Sequence, residues 1–421
     1  MPYDLRTLIS ATGPTEFSTA APLASLGIAA LGRLVFEGAG LKDVWDGLIA
    51  RVSANETDYG ALLDLSTLVQ MTGSREKGLE LQAAAIAGQR CYRTRHGAGR
   101  LRVLAFMTAG DLMANTPIDF LLEGSDAELT VYFVDGALPS PSQVPDHDVA
   151  FLAIGQSDDG SKALTALGAE PFAAWPRPVI NSRPQLIAAL SRDGVADTFA
   201  GHPTVICPAT RRVERAALER VASGALDLSA LHADLRFPVI VRPLGSHAGN
   251  GLQKLTSQSE LQAYLAEHAQ AEFFVAAFFD YRGADGLFRK LRVVFVGGQP
   301  FVSHMAVSER WMVHYLNADM GQAANRAEEA EVMETFDSGF ALRHRAAFEA
   351  LNQTLGLDYF GIDCAETQDG RLLVFETDVA MIVHAMDSAQ LYPYKKPAMT
   401  KLFNGFVSTL AVAAGQSRLA A

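Results

Sequence analysis

Three carboxylates, Asp363, Glu376 and Asp378, fall in the stretch LDYFGIDCAETQDGRLLVFETDVAMIVH at spacings that can bring them onto one face of a small sheet. Asp369-Gly370 lies between two β-rich runs, a hairpin signal because the tightest hairpin turns need positive φ at their central residues. A two-residue turn there sets Asp363 opposite Glu376 and Gly361 opposite Asp378. Alternation along a strand then puts Glu376 and Asp378 on the face that Asp363 shares across the ladder. Like charges in facing positions repel, so the trio needs a counter-charge. All-oxygen ligation of this kind suits Mg²⁺ held jointly by protein and substrate phosphates. The competing reading is a solvated hairpin with acidic decoration. Tyr359, Phe360, Ile362, Leu373 and Phe375 argue against it, because apolar residues on both faces indicate a buried sheet.

A second group of residues suits anion binding. In VIVRPLGSHAGNGLQKL, Gly245, Gly249 and Gly251 interrupt what reads as strand, loop, strand, and a helix begins only after Ser257 and Glu260, which form a capping box. Neither the pattern nor the context of a Walker A or dinucleotide loop is met, since both lead directly into a helix. What remains is a flexible cover whose backbone amides can approach an anion without a Cβ in the way. Arg242 stands just before it. Gly297-Gly298 marks another hairpin, in which a two-residue turn puts Arg292 opposite Ser303 and Lys290 opposite Met305. A cation in so apolar a sheet needs an anionic partner if buried, which makes Arg292 a phosphate candidate unless it lies on an exposed edge.

The elements that position these groups follow in order. The first 98 residues read as helical; DYGALLDLSTLVQMTGSREKGLELQAAAIAGQRCYR holds two amphipathic segments joined by Thr72-Gly73-Ser74, with Ser74 placed to cap the second. One such hairpin resembles a tetratricopeptide-like unit, without the stacked copies a solenoid needs. From Arg100, LRVLAFMT, LTVYFVD and DVAFLAIG are strand-like runs of a small parallel α/β domain, with SKALTALGA a helix. Thr108, Gly110, Asp111, Asn115 and Thr116 follow the first strand, where open parallel sheets bind ligands, although ordinary loop and capping roles are as well supported. PFAAWPRPVINSRP reads as a linker, RPQLIAALSRDGVADTFAG as a helix, Asn317 to Glu334 as a mobile or helical insertion, and AFEALNQTLG as a helix. Lys395 and Lys396 in YPYKKP suit either a substrate carboxylate or a solvated turn.

With 421 residues, 49% hydrophobic and 19% charged, the chain has material for two to three domains at roughly 150 residues each. The net charge of -12 disfavours non-specific nucleic-acid or anionic-membrane binding. Cys91, Cys207 and Cys364 have neither disulfide-framework nor zinc spacing, and no run reaches the ~18 apolar residues of a membrane helix. A reducing cytoplasm is the expected location.

From about Arg100 to Val412 the order of parts resembles the ATP-grasp superfamily, in particular its glutathione-synthetase and glutamate-ligase-like branches. Those parts are an α/β domain, a glycine-rich loop after VIVRP, an Arg-bearing hairpin in LRVVFVGG, and GID followed by E-x-D. The resemblance implies an α/β and α+β multidomain fold: a helical region over 1–98, a parallel pre-ATP-grasp domain over 99–182, a lobe with the glycine-rich loop over 183–277, and a metal-bearing lobe over 278–415, both lobes with antiparallel sheets. It implies a ligase that makes an acyl phosphate from ATP for an amine to attack, with small carboxylate and amine substrates or a peptide; a homo-oligomer is compatible with it. A phosphotransferase on the same scaffold and a non-catalytic nucleotide-binding scaffold are the alternatives.

By the same resemblance Asp363, Glu376 and Asp378 match metal ligands for one or two Mg²⁺, with Mn²⁺ able to substitute. Arg242 and Arg292 match the phosphate and intermediate-binding cations. Gly245, Ser246, His247, Gly249 and Gly251 match the phosphate cover, and Phe274, Val275 and Ala276 lie on the strand that leads to the adenine hinge. The chain departs from the family pattern at Arg242, usually Lys; at Asp378, usually Asn; at Lys290, an acid in many members; and in a less acidic hinge. His304, His314 and His384 are the candidates for a base.

Overall fold

The apolar runs after Arg100 become adjacent strands: β3 (Leu101–Met107) lies between and parallel to β4 (Ala127–Phe133) and β5 (Val149–Leu152). The computed structural model describes residues 21–416 except 39, 247–248 and 315–316. Val103, Leu104, Ala105 and Phe106 are all fully buried, as a strand covered on both faces requires. Phe172 and Trp175 meet Phe106 edge-on, and Phe151 of β5 packs against Tyr359 and Phe406. The sheet has six strands in the order β1-β2-β4-β3-β5-β6, adding β1 (Leu23–Ala24), β2 (Cys91–Arg95) and β6 (Val179–Ile180). Only the β2–β4 pair is antiparallel.

Four helices, Ile28–Glu37, Leu41–Ala54, Tyr59–Met71 and Arg75–Gly88, intervene between β1 and β2. Leu62, Leu65, Leu68 and Val69 share one buried cluster with Tyr92 of β2 and Phe133 of β4. The chain is therefore strand at Cys91, where the sequence reading continues helix. Gly78 lets the last two helices close, since a Cβ there would meet Gln70 Cγ at 2.3 Å. Ser74 stands at the N-cap but makes no capping bond. These elements belong to the first of two compact units, which comprises the chain to Ala188 with Leu357–Phe360 and Val379 onward.

Several loop residues weighed as ligand contacts serve this unit. Asn115 clamps Thr108 by bonds of 2.9 Å to its N–H and carbonyl, and Thr116 Oγ1 donates to the Val379 carbonyl at 2.8 Å. Asp111 pairs with Arg75 at 2.9 Å. Lys395, neither solvated nor presented to a ligand, is buried and donates to Asp387 at 2.9 Å.

Asp64 gives this unit a pH dependence. Its carboxylate accepts from Ser25 Oγ at 2.6 Å and from Leu26 N at 2.9 Å, but burial dominates and pushes it up to about 6. A raised carboxyl favours folding while protonated, and that advantage is lost as pH rises from the unfolded value through 6. Asp64→Asn should therefore gain on the wild type by about 3 kcal/mol between pH 4 and 7. Urea denaturation at a series of pH values measures it; parallel stability curves would refute the assignment.

The second unit comprises Ala189–Gly356 and Gly361–Asp378. The stretch expected as one helix breaks at Ser191, which accepts from Gly194 N and starts a separate helix, Arg192–Thr198. An antiparallel sheet in the order β10-β9-β11-β8 follows, from β8 (Thr210–Glu214), β9 (Val239–Pro243), β10 (Gln253–Leu255) and β11 (Glu272–Ala277). Its apolar face, Val239, Val241, Phe273 and Val275, packs with Leu218, Leu261 and Leu265. Ser257 caps the helix Gln258–Glu267, while Glu260 reaches past it to accept from Thr256 N at 2.6 Å, so the expected capping box is only half formed. The other sheet runs β13-β12-β14-β15-β7, from β7 (Val205–Ile206), β12 (Phe288–Val296), β13 (Gln299–Ser308), β14 (Tyr359–Glu366) and β15 (Leu372–Asp378). The segment after Asn317 contains the helix Ala323–Glu334.

Candidate functional site

Asp363 faces Glu376, and Gly361 faces Asp378, as the sequence suggests, but by a different route. The loop is one residue longer than a two-residue turn: Thr367 N donates to the Arg371 carbonyl at 3.0 Å across Gln368–Gly370, with Gly370 at φ 78°. A bulge between Asp363 and Cys364 leaves Phe375 as the extra residue on β15, which restores the pairing. In the neighbouring hairpin, Gly297 and Gly298 take φ 56° and 78°, and Val296 faces Gln299. There a bulge after Arg292 shifts the register, so Arg292 faces His304 rather than Ser303, and Lys290 faces Ala306 rather than Met305.

Because β12 and β14 are neighbours, two cations reach Asp363. Arg292 Nε donates to Oδ1 at 2.8 Å and Nη2 to Oδ2 at 3.1 Å, and Lys290 Nζ donates to Oδ2 at 2.9 Å. Asp363 is 3% exposed. Burial alone would raise its carboxyl, but Arg292 and Lys290 together outweigh burial and hold it well below the usual range. Arg292 is thus neither on a bare edge nor alone in the sheet.

Glu376 has its own cation. Arg192, the first residue of its short helix, donates through Nη2 to Glu376 Oε1. Nothing local in the sequence marks this arginine, since its partner is 184 residues away. Arg242 completes the group from the end of β9. It is buried, its Nε donates to Ser246 Oγ at 3.2 Å, and its Nη2 donates to the Ser246 carbonyl. Burial and then the charge of Arg192 lower it to about 10, against the pull of Glu376, so it stays charged at neutral pH.

The glycine-rich loop joins two antiparallel strands, as expected, with Gly245, Gly249 and Gly251 at φ 70°, 78° and 65°. At Gly251 a Cβ would meet Pro243 Cδ at 2.7 Å, so the third glycine is required by space as well as by φ. His247 lies outside the described residues.

Asp363, Glu376 and Asp378 do not fit a divalent ion in this arrangement. Both oxygens of Asp363 are engaged by Lys290 and Arg292, and Glu376 Oε1 is engaged by Arg192. Among the described residues no three His, Cys, Asp or Glu side chains gather as a metal-holding group. In this arrangement Asp363 is a buried anchor that orients Lys290 and Arg292, and the partly exposed Glu376 pairs with Arg192.

Of the three residues expected on the strand before the hinge, Val275 is fully buried in the core of its sheet. Phe274 and Ala276 alternate to the other face, where Phe274 faces Arg242 and lies 5.8 Å from the Arg212 guanidinium. The next residues line a cavity of about 540 Å³, with Lys254, Phe278, Asp280, Arg310, Trp311 and Met312 on its walls. Lys254 Nζ stands 3.6 Å over the Phe278 ring. Leu252 also lines it, so the cavity adjoins the glycine-rich loop. Burial, then Lys290 and Arg292, lower the His314 imidazole, which is therefore neutral at pH 7. His304 adds to the positive surroundings of Asp363, whereas His384 packs beside Phe120 in the first unit.

No family model matches the chain, and no curated protein matches it. Among solved structures it is similar to an ATP-grasp RimK domain protein from Sphaerobacter thermophilus, at 16% identity over 73% of this chain and 99% of that one, with a TM-score of 0.40. It is similar to a D-alanine–D-alanine ligase from Bacillus anthracis complexed with ATP, at 14% identity over 75% and 99%, with a TM-score of 0.39. A D-Ala:D-Ser ligase from Enterococcus faecalis is similar at 14% identity over 63% and 74%, with a TM-score of 0.38.

Proposed function

We propose that the chain is an ATP-dependent ligase that joins a small carboxylic acid, an amino acid or a peptide to an amine through an acyl phosphate. The observation that supports this reading best is the group of Arg192, Arg242, Lys290 and Arg292 next to a glycine-rich strand connection, with Lys290 and Arg292 held by the buried Asp363, Arg192 by Glu376 and Arg242 by Ser246. Phosphoryl transfer needs positioning and charge neutralisation more than covalent participation, and preoriented cations supply both. The substrate carboxylate oxygen attacks the γ-phosphorus as the bond to the ADP oxygen breaks. The amine nitrogen then attacks the acyl carbon, phosphate leaves, and the amine gives up a proton. The aromatic and cationic walls formed by Phe278, Trp311 and Lys254 suit a purine ring. The glycine-rich loop is the cover that keeps water from the acyl phosphate.

His314 is the proton acceptor in this scheme, being neutral and next to the cations. A base works deprotonated, so kcat should rise with pH through a value below the ordinary 6.5 of histidine. His314→Gln should abolish that acidic limb and lower kcat by about 10²-fold. A variant with an unchanged pH profile would remove His314 from the scheme.

The reading is tested by supplying ATP with pairs from an amino-acid and peptide panel, following ADP release and the product mass. ADP should appear only when acid and amine are both present, with a product heavier by the condensed amine. ADP with the acid alone and a stable phosphorylated product would identify a phosphotransferase instead. Nucleotide binding without turnover across the panel would point to a scaffold.

A further inference from the structure

We propose that this site binds the phosphates of its nucleotide on its own side-chain cations and needs no divalent ion to do so. The inference rests on the nucleotide reading above but goes further, because it replaces the expected metal by named residues. Arg192, Arg242, Lys290 and Arg292 are set against Asp363, Glu376 and Asp378, so the cluster carries one excess positive charge even if every acid is ionised.

The geometry makes these cations one group. Lys290 and Arg292 converge on Asp363, Asp363 faces Glu376 across the ladder, Glu376 receives Arg192, and Arg192 is near enough to depress Arg242. A divalent ion at Asp363 would have to displace an ammonium and a guanidinium from a carboxylate that is 3% exposed. Breaking such buried pairs is strongly unfavourable, and the ion would have to recover that loss from the same two oxygens. Lys290 is the decisive residue. Its ammonium sits 2.9 Å from Oδ2 on the face where the acids alternate, so it supplies there the positive charge that a metal otherwise brings.

The test is calorimetric titration of the full chain with a non-hydrolysable ATP analogue and, separately, with tripolyphosphate, each in excess EDTA and in millimolar Mg²⁺. Both ligands should bind in EDTA with dissociation constants within about three-fold of those in Mg²⁺, a difference under 1 kcal/mol. Lys290→Met should weaken binding in EDTA by about 10-fold or more. Lys290→Asp should lose it and gain thermal stabilisation by Mg²⁺, which the wild type should not show; if Lys290→Asp does not fold, Lys290→Met carries the test. Binding of both ligands only in Mg²⁺ would overturn the inference and leave the nucleotide reading standing. Tripolyphosphate binding in EDTA with no binding of the ATP analogue would support the cationic site and reject the nucleotide. Absence of binding by either ligand in either condition would overturn both.

Discussion

Asp363→Asn is expected to destabilise the protein by about 3–5 kcal/mol, because it leaves Lys290 and Arg292 in a buried sheet without their shared counter-charge. Asparagine keeps the size of the side chain and one acceptor oxygen, so packing does not explain the loss. For a chain of 421 residues the shift in Tm should be about 3–6 °C. The linkage has a definite sign. A carboxyl held below its usual range stabilises the fold above the unfolded value near 3.8, and the contribution is lost as pH falls through the depressed folded value. The variant should therefore lose part of the wild type's sensitivity to acid as well as its stability at neutral pH. Adding Lys290→Met to Asp363→Asn removes one of the stranded charges and should recover part of the Tm, a coupling that a double-mutant cycle reads directly. An Asp363→Asn protein that melts within a degree or two of the wild type would show that the pairs are not holding the sheet.

The sequence makes the strands readable but not the partners that meet through them. The facing of Asp363 and Glu376 follows from alternation and from the Asp369-Gly370 turn, yet it holds because a longer loop and a bulge offset each other. In the β12–β13 hairpin a bulge has no such compensation, and the register read from Gly297-Gly298 is off by one from Arg292 backwards. Bulges depend on how a strand packs against its neighbours, and the local run LRVVFVGG has no residue that announces one. The glycine-rich loop was legible because antiparallel strands and positive φ leave glycine as the permissive residue. Val275 faces the core, which the sequence cannot say, because alternation along EFFVAA has two possible phases and only the packing of Leu218, Leu261 and Leu265 selects between them. The cations were the least legible part. Whether Lys290 meets an anion, a metal or water depends on β12 lying beside β14, and Arg192 depends on a helix start reaching a strand distant in sequence.

Arg242→Ala should lower kcat/KM by about 10²–10³-fold, the scale for removing a preoriented charge from a phosphoryl-transfer site. Arg242 joins two functions that are separable by substitution. Its charge contributes to the group with Arg192, Lys290 and Arg292, and its fork fixes the loop through Ser246 Oγ and the Ser246 carbonyl. Arg242→Lys keeps the charge, but a single ammonium cannot reproduce the planar fork that reaches both oxygens of Ser246. It should therefore recover much of kcat while KM for ATP stays raised, because the loop is no longer held in place. Ser246→Ala removes the hydroxyl that accepts from Arg242 and donates to the Pro243 carbonyl, and should cost about 0.5–1.5 kcal/mol per bond lost, visible mainly in KM. The same order should appear in proteolysis, with cleavage in the loop fastest for Arg242→Ala, slower for Arg242→Lys and slowest for the wild type. If Arg242→Lys matched the wild type in both kinetic constants, the fork would be incidental and the charge sufficient. If Arg242→Ala did so as well, Arg242 would serve the fold of the β9–β10 connection alone, and the anion would have to be held by Arg192, Lys290 and Arg292.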